Sequence, residues 1–273
     1  MKKIFFLFLS VLISCSLGTR HRATTLKLQG SDTMLPLARF WAEVYMIENP
    51  GISVYVEGGG TATGMTALAR GDIDICMASR PIVPEEAQQL VEKFATVGVS
   101  VLVAKDALSI YVNPDNPVKN LTIEQIRDIY SGKIKNWRHV GGDDAAILLL
   151  NRMPTSGTFA YFQEHVLEGA PYSPANTALP TTKAIIETVA KEKYAIGYGG
   201  IAYETDIYHC DINGVAPTKE NVINDSYPLT RYLYLYTTDT PQGKTKDFIN
   251  WILSEHGQDI VKWVGYFPIW QAD

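Results

Sequence analysis

Short apolar runs alternate with amphipathic segments along the chain from Thr24 onward. Runs rich in β-branched residues predict strands, and apolar residues spaced three or four apart predict helices. Strands that alternate with helices are typical of an α/β fold, in which a mostly parallel sheet carries helices on its faces. The predicted strands are 25–28, 53–57, 73–78, 97–104, 109–112, 146–150, 195–198, 207–215 and 229–237, and the predicted helices are 35–47, 63–70, 84–94, 122–130, 158–167, 182–191, 242–253 and 258–263.

The chain contains two such α/β sets, which predict two lobes. Lys105-Asp106-Ala107 separates two β-branched runs, and Asn113-Pro114-Asp115-Asn116-Pro117 then has the composition of a crossing between domains. A cleft between two lobes is a usual place for a small ligand. We expect lobe 1 to comprise residues 24–108 plus 206–273, and lobe 2 to comprise residues 109–205.

The first residues have the pattern of an export signal. Lys2 and Lys3 precede about ten mostly apolar residues, too few to span a bilayer. The ending Leu12-Ile13-Ser14-Cys15 resembles a bacterial lipobox, in which the cysteine is lipidated and becomes the mature N-terminus. We expect cleavage of residues 1–14 before Cys15, a tether over 15–23 and a lipid anchor on the outer face of a membrane. An ordinary signal peptide with an incidental cysteine is the alternative.

Charge narrows the class of ligand. The 273 residues include 24 Lys and Arg against 29 Asp and Glu, and removal of residues 1–14 changes the net charge from −5 to −7. A chain this acidic has no broad basic field for a nucleic acid, so none is expected as a partner. A small anion would have to be held by local geometry.

Two cysteines, Cys76 and Cys210, remain after Cys15 is assigned to lipid. An exported pair can form a disulfide, whereas an apolar setting such as that of Cys76 also suits a buried thiol. Both interpretations stay open at this point.

Three helix starts share one chemistry. Gly30-Ser31-Asp32-Thr33, Gly58-Gly59-Gly60-Thr61-Ala62-Thr63-Gly64 and Thr155-Ser156-Gly157-Thr158 each follow a predicted strand and open a predicted helix. Small residues let a ligand approach the backbone, hydroxyls donate hydrogen bonds, and free N–H groups at a helix start attract negative charge. Each loop alone is better explained as an ordinary N-cap than as a binding site. Three together at the carboxyl ends of strands predict an anion site.

Two arginines lie next to these loops. Arg80 follows the strand at 73–78, and Arg152 follows the strand at 146–150. A guanidinium group is a planar fork of donors that suits a tetrahedral oxyanion. A structural ion pair is the alternative for each, and it stays more open for Arg80.

Motifs for other chemistries are missing from the sequence. Position 63 is Thr where a dinucleotide fingerprint requires glycine, and there is no phosphate-binding P-loop motif. The five histidines have no metal-ligand spacing, and no Gly-x-Ser-x-Gly elbow occurs. We therefore expect no cofactor, no metal and no enzymatic activity. A secreted phosphoester hydrolase with Ser156 or Thr158 as nucleophile is kept as an alternative.

The chain resembles a known family, the phosphate-binding component of bacterial phosphate-specific ABC transporters (the PstS family), in its shorter form. The resemblance extends in family order over nearly all of the mature chain. Its segments are Gly30-Ser31-Asp32-Thr33-Met34 with Pro36-Leu37-Ala38, Gly58 to Met65, Gly71-Asp72-Ile73-Asp74-Ile75, Ala78-Ser79-Arg80-Pro81, Ile129 to Ile134 before Asn136-Trp137, Ser156-Gly157-Thr158 and Ile196-Gly197-Tyr198.

The resemblance implies a type II periplasmic-binding-protein fold that binds phosphate between its lobes and delivers it to permease subunits of an ABC transporter. It implies a monomer outside the cytoplasm, in a periplasm or on a cell surface. A receptor or sensor for another tetrahedral oxyanion is the alternative within this class. The phosphate-binding residues that it implies are Ser31, Asp32, Thr33, Thr61, Ser79, Arg80, Arg152, Ser156, Gly157 and Thr158.

The sequence departs from the family pattern at two points. The loop from Arg152 to Phe159 lacks the acid that often orients the arginine, and it lacks a second arginine. Arg80 stands where some longer members carry an Asp that accepts the proton of the phosphate. We therefore expect Asp32 to accept this proton, with Arg80 holding Asp32 ionised. Asp32 as a plain N-cap is the alternative.

Overall fold

The computed structural model describes residues 24–203 and 206–270. The expected signal peptide, the expected lipidated Cys15 and the expected tether lie outside these residues. Over the residues described, no helix combines the length and the apolar character that a membrane crossing needs.

The elements follow the predicted alternation of strands and helices, and they also include short elements at 120–121, 177–179 and 219–223 that were not predicted. The strands are β1 (Thr24–Gly30), β2 (Ile52–Glu57), β3 (Ile75–Ala78), β4 (Val99–Val112), β5 (Asn120–Leu121), β6 (Leu148–Arg152), β7 (Thr177–Leu179), β8 (Ala195–Gly200), β9 (Tyr208–Ile212) and β10 (Thr230–Thr237). The helices are α1 (Leu35–Glu48), α2 (Thr61–Arg70), α3 (Pro84–Phe94), α4 (Ile123–Tyr130), α5 (Gly157–His165), α6 (Thr182–Lys191), α7 (Lys219–Ile223), α8 (Gly243–Leu253) and α9 (Glu255–Trp263).

The strands form one continuous, mixed sheet in the order β2-β1-β3-β10-β4-β8-β6-β7, and β9 pairs with both β4 and β5. At one end β1 pairs in parallel with β2 and β3, and at the other β6 pairs in parallel with β7 and β8. The central strands β10 and β4 are antiparallel to each other. This sheet with its flanking helices confirms the predicted α/β class, with two lobes.

Strand β4 runs without interruption from one lobe into the other. Its residues up to Ala107 pair with β10, and those from Leu108 onward pair with β8. The predicted break at Lys105-Asp106-Ala107 is therefore wrong. Charged residues are tolerated inside this strand because Asp106 pairs with Arg231 and Lys105 pairs with Asp225.

Buried apolar side chains form one large cluster on each side of this crossing. Trp41 and Leu233 belong to the first, whereas Trp137, Phe162 and Leu229 belong to the second. The segment that contains β9 packs in the second cluster, and β9 pairs with the second part of β4. The expected return of the chain to lobe 1 at residue 206 therefore needs correction. We propose that lobe 1 comprises residues 24–107 and 230–270, and lobe 2 comprises residues 108–229.

The two described cysteines are free thiols in different parts of the core. Cys76 packs with Met65 and Leu68, whereas Cys210 lies in the lobe 2 cluster. Burial raises the pKa of Cys76 well above its usual value and the pKa of Cys210 to about 12. Of the two interpretations left open, the buried thiols describe this structure.

We predict that Cys76 and Cys210 do not react with an aromatic disulfide reagent in the folded protein at pH 8. Both thiols are buried, and with a raised pKa the reactive thiolate is scarce at that pH. The measurement is the number of protein thiols that react with the reagent in a Cys15→Ser variant, before and after addition of urea and without reductant. Two thiols should appear in urea only, and none in either condition would reveal a disulfide.

Candidate functional site

The three loops predicted from the sequence come together beside the carboxyl ends of their strands. The N–H of Gly60, in the second loop, donates to the carbonyl of Gly30 at the end of β1 (2.9 Å). The N–H of Ala62 donates to the carbonyl of Thr155 in the third loop (3.2 Å). A Cβ on Gly60 would lie 2.4 Å from the carbonyl oxygen of Thr155, so only glycine allows this approach. The contact joins the second loop of lobe 1 to lobe 2.

Hydroxyl groups from both lobes meet at the start of α5. Thr33 Oγ1 and Thr158 Oγ1 are 2.8 Å apart, although they are 125 residues apart in sequence. A Cβ on Gly157 would lie 2.3 Å from Thr61 Oγ1 and 2.6 Å from Ser79 Oγ. The missing side chain at Gly157 therefore lets these two hydroxyls reach the helix start, where the first N–H groups have no carbonyl partner within the helix.

All ten predicted site residues are strongly buried; the most exposed, Asp32 and Arg80, each reach 9%. Ser156 Oγ caps α5 by accepting from the N–H of Thr158 (3.2 Å). Ser79 Oγ lies in the interior with no hydrogen-bond partner in the part of the chain that is described. A buried hydroxyl without a partner is costly, so this group fits a site that supplies an external acceptor.

Arg152 ends β6 and is 1% exposed. Its Nη1 donates to Thr182 Oγ1 (2.8 Å), and its Nη2 donates to Asp32 Oδ2 (2.7 Å) and to the carbonyl of Pro180 (3.1 Å). Nε has no partner among the residues described. Burial lowers the pKa of Arg152, and the charge of Asp32 opposes this shift. The guanidinium group is thus held in one orientation, and Nε is the nitrogen of this group that has no partner among the residues described.

Asp32 supplies the acid that the Arg152 loop itself lacks. Its Oδ1 accepts from the N–H of Gly59 (3.0 Å), and its Oδ2 accepts from Arg152. The expectation that Arg80 holds Asp32 is wrong, because the partner of Asp32 is Arg152. The loop departure noted in the sequence is thereby compensated by a residue 120 positions away.

Arg80 makes its ion pair with Glu86 at the start of α3. Its Nη1 and Nη2 donate to the two carboxylate oxygens of Glu86 (2.9 and 2.6 Å), and Nη1 also donates to the carbonyl of Pro81. These contacts correspond to the structural alternative considered for this residue. A direct role of Arg80 in ligand binding stays a prediction.

Arg231 on β10 was missed by the sequence analysis. It is 4% exposed, and its Nε and Nη2 donate to Asp106 Oδ2 on the neighbouring strand (3.0 and 2.8 Å). Its Nη1 also donates to Thr158 Oγ1 (3.0 Å) and its Nη2 to Thr33 Oγ1 (3.3 Å). One signal was available, since Arg231 is the one charge in the predicted strand 229–237 and Asp106 lies between two strand-like apolar runs.

Comparison with known proteins shows the family of this chain. Residues 18–256 match the family model of the PBP superfamily domain. The phosphate-binding protein PstS of Bacillus subtilis is 34% identical over 255 residues, covering 92% of this chain and 83% of that protein. PstS of Pseudomonas aeruginosa is 32% identical and covers 88% of this chain and 81% of its own. The chain belongs to the PstS family.

Solved structures of the same family share the fold. A phosphate ABC transporter substrate-binding protein of Clostridium perfringens, solved with bound phosphate, has a TM-score of 0.83 and 32% identity, over 90% of this chain and 100% of that one. A phosphate transport receptor of Vibrio cholerae has a TM-score of 0.73 and 29% identity, with the same coverage.

In this PstS-family chain, each arginine at the site is matched by one carboxylate. The pairs are Arg152 with Asp32, Arg231 with Asp106, and Arg80 with Glu86. The three pairs bring no net charge to the site, so attraction for an anion must come from oriented donors. Within the described ranges, no group of His, Cys, Asp and Glu is arranged to hold a metal ion. The arrangement suits a small, dehydrated oxyanion.

We predict that Glu86→Gln lowers the free energy of unfolding by about 1–3 kcal/mol, because it leaves the buried Arg80 guanidinium without its charge partner. Urea unfolding measures the change. Glu85→Gln is the matched control, since it removes the same charge from the same turn at an exposed position. Equal effects of the two variants would contradict the importance of the ion pair.

Proposed function

We propose that this protein is an extracytoplasmic receptor that captures inorganic phosphate and delivers it to an ABC transporter for import. The observation that carries the proposal is the meeting of three helix-opening loops around Thr33, Thr61, Ser79 and Thr158 beside the buried Arg152. The B. subtilis relative is a phosphate-binding protein and the C. perfringens relative holds bound phosphate, which supports the same ligand.

The donors available at this site suit the four oxygens of phosphate. Thr33, Thr61, Ser79 and Thr158 supply hydroxyls, the start of α5 supplies N–H groups, and Arg152 Nε is a charged donor without a partner within the described chain. Hydrogen bonds from a charged donor are roughly twice as strong as those between neutral groups. Because the three ion pairs cancel, tight binding would come from desolvated hydrogen bonds instead of a long-range field.

The remaining parts of the proposal rest on the sequence. The pattern of residues 1–14 and Cys15 supports export and attachment to a membrane through lipid. Delivery to permease subunits, as a monomer, is the role that fits a lipid-anchored member of the PstS family. A receptor for another tetrahedral oxyanion and a phosphoester hydrolase that uses Ser156 or Thr158 are the competing outcomes of the next experiment.

We predict stoichiometric binding of phosphate, measured by titration calorimetry, and no turnover of a phosphomonoester. Arg152→Met should weaken phosphate binding at least about 10-fold, since it removes a charged donor and leaves Asp32 unpaired. Arg138→Met, at an exposed position of lobe 2, is the matched control and should have little effect. Affinity should change little between low and high salt, because buried interactions are weakly screened.

Three results would redirect this assignment. Sulfate binding as tight as phosphate binding would favour a receptor for another oxyanion. Turnover of the ester that is lost in a Ser156→Ala or a Thr158→Ala variant would favour the hydrolase. A steep fall of affinity with salt would place the anion at the surface.

A second prediction concerns phosphate against sulfate. Hydrogen phosphate carries a proton that sulfate lacks, and we propose that the carboxylate of Asp32 accepts it. Asp32→Asn should lower the ratio of phosphate to sulfate affinity by about 10-fold or more. The ratio is the readout because loss of the partner of Arg152 changes both affinities together. Asp72→Asn, at an exposed position, is the control, and an unchanged ratio in Asp32→Asn would refute the role.

A further inference from the structure

Arg231 makes two hydrogen bonds that reach different lobes. It lies in β10 of lobe 1, and it donates to the hydroxyl of Thr33 in the first loop of the same lobe. It also donates to the hydroxyl of Thr158 in α5 of lobe 2, so one guanidinium group joins the two sides of the cleft. This arrangement exists only when the lobes are together.

The chemistry of these bonds fixes the direction of the hydroxyl groups. A guanidinium group donates and never accepts, so Thr33 Oγ1 and Thr158 Oγ1 must both accept from Arg231. The two oxygens are 2.8 Å apart, so one hydroxyl donates its hydrogen to the other. Two hydroxyl hydrogens are present and one is used between them. The second is left to donate to a third group.

Asp106 holds the guanidinium group in the orientation that this network needs. Asp106 and Arg231 face each other as direct partners in the antiparallel pairing of β4 and β10. The carboxylate is 0% exposed, and the guanidinium carbon lies 5.6 Å from the ring centre of Tyr161 on α5. Burial raises the pKa of Asp106, and the charge of Arg231 opposes this shift. Both partners of the ion pair are thus buried, and two hydrogen bonds to Asp106 Oδ2 set the orientation of the guanidinium group.

We infer that Arg231 is a positioning residue for the anion, which orients the Thr33–Thr158 hydroxyl pair so that its remaining hydrogen points to an oxygen of the ligand. The inference rests on the proposed binding of phosphate at these loops. Arg231 acts through the two hydroxyls, and its own charge is cancelled by Asp106.

The test is a double-mutant cycle on phosphate affinity, measured by titration calorimetry. Replacement of the pair by Arg231→Gln with Asp106→Asn avoids an unpaired buried charge, and we expect it to weaken binding about 10-fold or more. In a Thr158→Val background the same replacement should cost about threefold or less, because the hydroxyl that Arg231 orients is absent. Thr61→Val is the matched background, since the described residues show no hydrogen bond between Thr61 and Arg231, and there the full loss should persist.

Equal losses in the Thr158→Val and Thr61→Val backgrounds would overturn the inference, as would unchanged affinity after replacement of the pair. A general packing defect or a direct contact of Arg231 with the anion gives equal losses. If the double variant folds poorly, Arg231→Lys takes its place in the test. This variant keeps the charge opposite Asp106 but lacks the planar fork of donors, and we expect the same loss of affinity. If the unaltered protein binds no phosphate at all, the proposed function is wrong. If it binds phosphate and replacement of Arg231 and Asp106 leaves the affinity unchanged, only the role of Arg231 is wrong.

Discussion

The structure depends on the neutralisation of charge inside a closed cleft. Arg152 and Arg231 are almost fully buried, and an unpaired guanidinium group in such a place would cost several kcal/mol. Each is balanced by a carboxylate from a distant part of the chain, Asp32 for Arg152 and Asp106 for Arg231. The pairing lets the site hold charged donors in fixed orientations without a net positive charge. An acidic protein can therefore maintain a site for an anion.

The two ion pairs also determine how the loops meet. Asp32 belongs to the first loop and also accepts from Gly59 of the second, so its bond to Arg152 ties both loops of lobe 1 to lobe 2. Gly60 and Gly157 complete the approach, since a side chain at either position would separate the loops. Backbone contact, hydroxyl contact and ion pair thus depend on the same closed arrangement of the lobes.

Much of this could be predicted from local sequence, because hydrophobic periodicity and helix-opening residues are local signals. The order of strands and helices and the three loops belong to this group. The partners of the arginines could not be predicted, since Asp32 and Arg152 are 120 residues apart and their pairing is set by the folded sheet. The continuity of β4 was missed for the same reason, because the charge of Asp106 indicates a break until Arg231 is placed opposite it. The segment around β9 was assigned to the wrong lobe because its partner strand could not be read from sequence.

The two strands that connect the lobes lie side by side and are hydrogen-bonded at the crossing. The N–H of Leu108 donates to the carbonyl of Leu229 (2.7 Å), and Asp106 faces Arg231 just beyond it on the lobe 1 side. The lobes are therefore joined by two hydrogen-bonded segments and not by two separate, unpaired ones. The Asp106–Arg231 pair lies wholly within lobe 1, whereas the Asp32–Arg152 pair crosses between the lobes, so a separation of the lobes would leave the first intact and break the second. The same kind of contact, an arginine with a carboxylate, thus stabilises one lobe internally in the first pair and holds the two lobes together in the second.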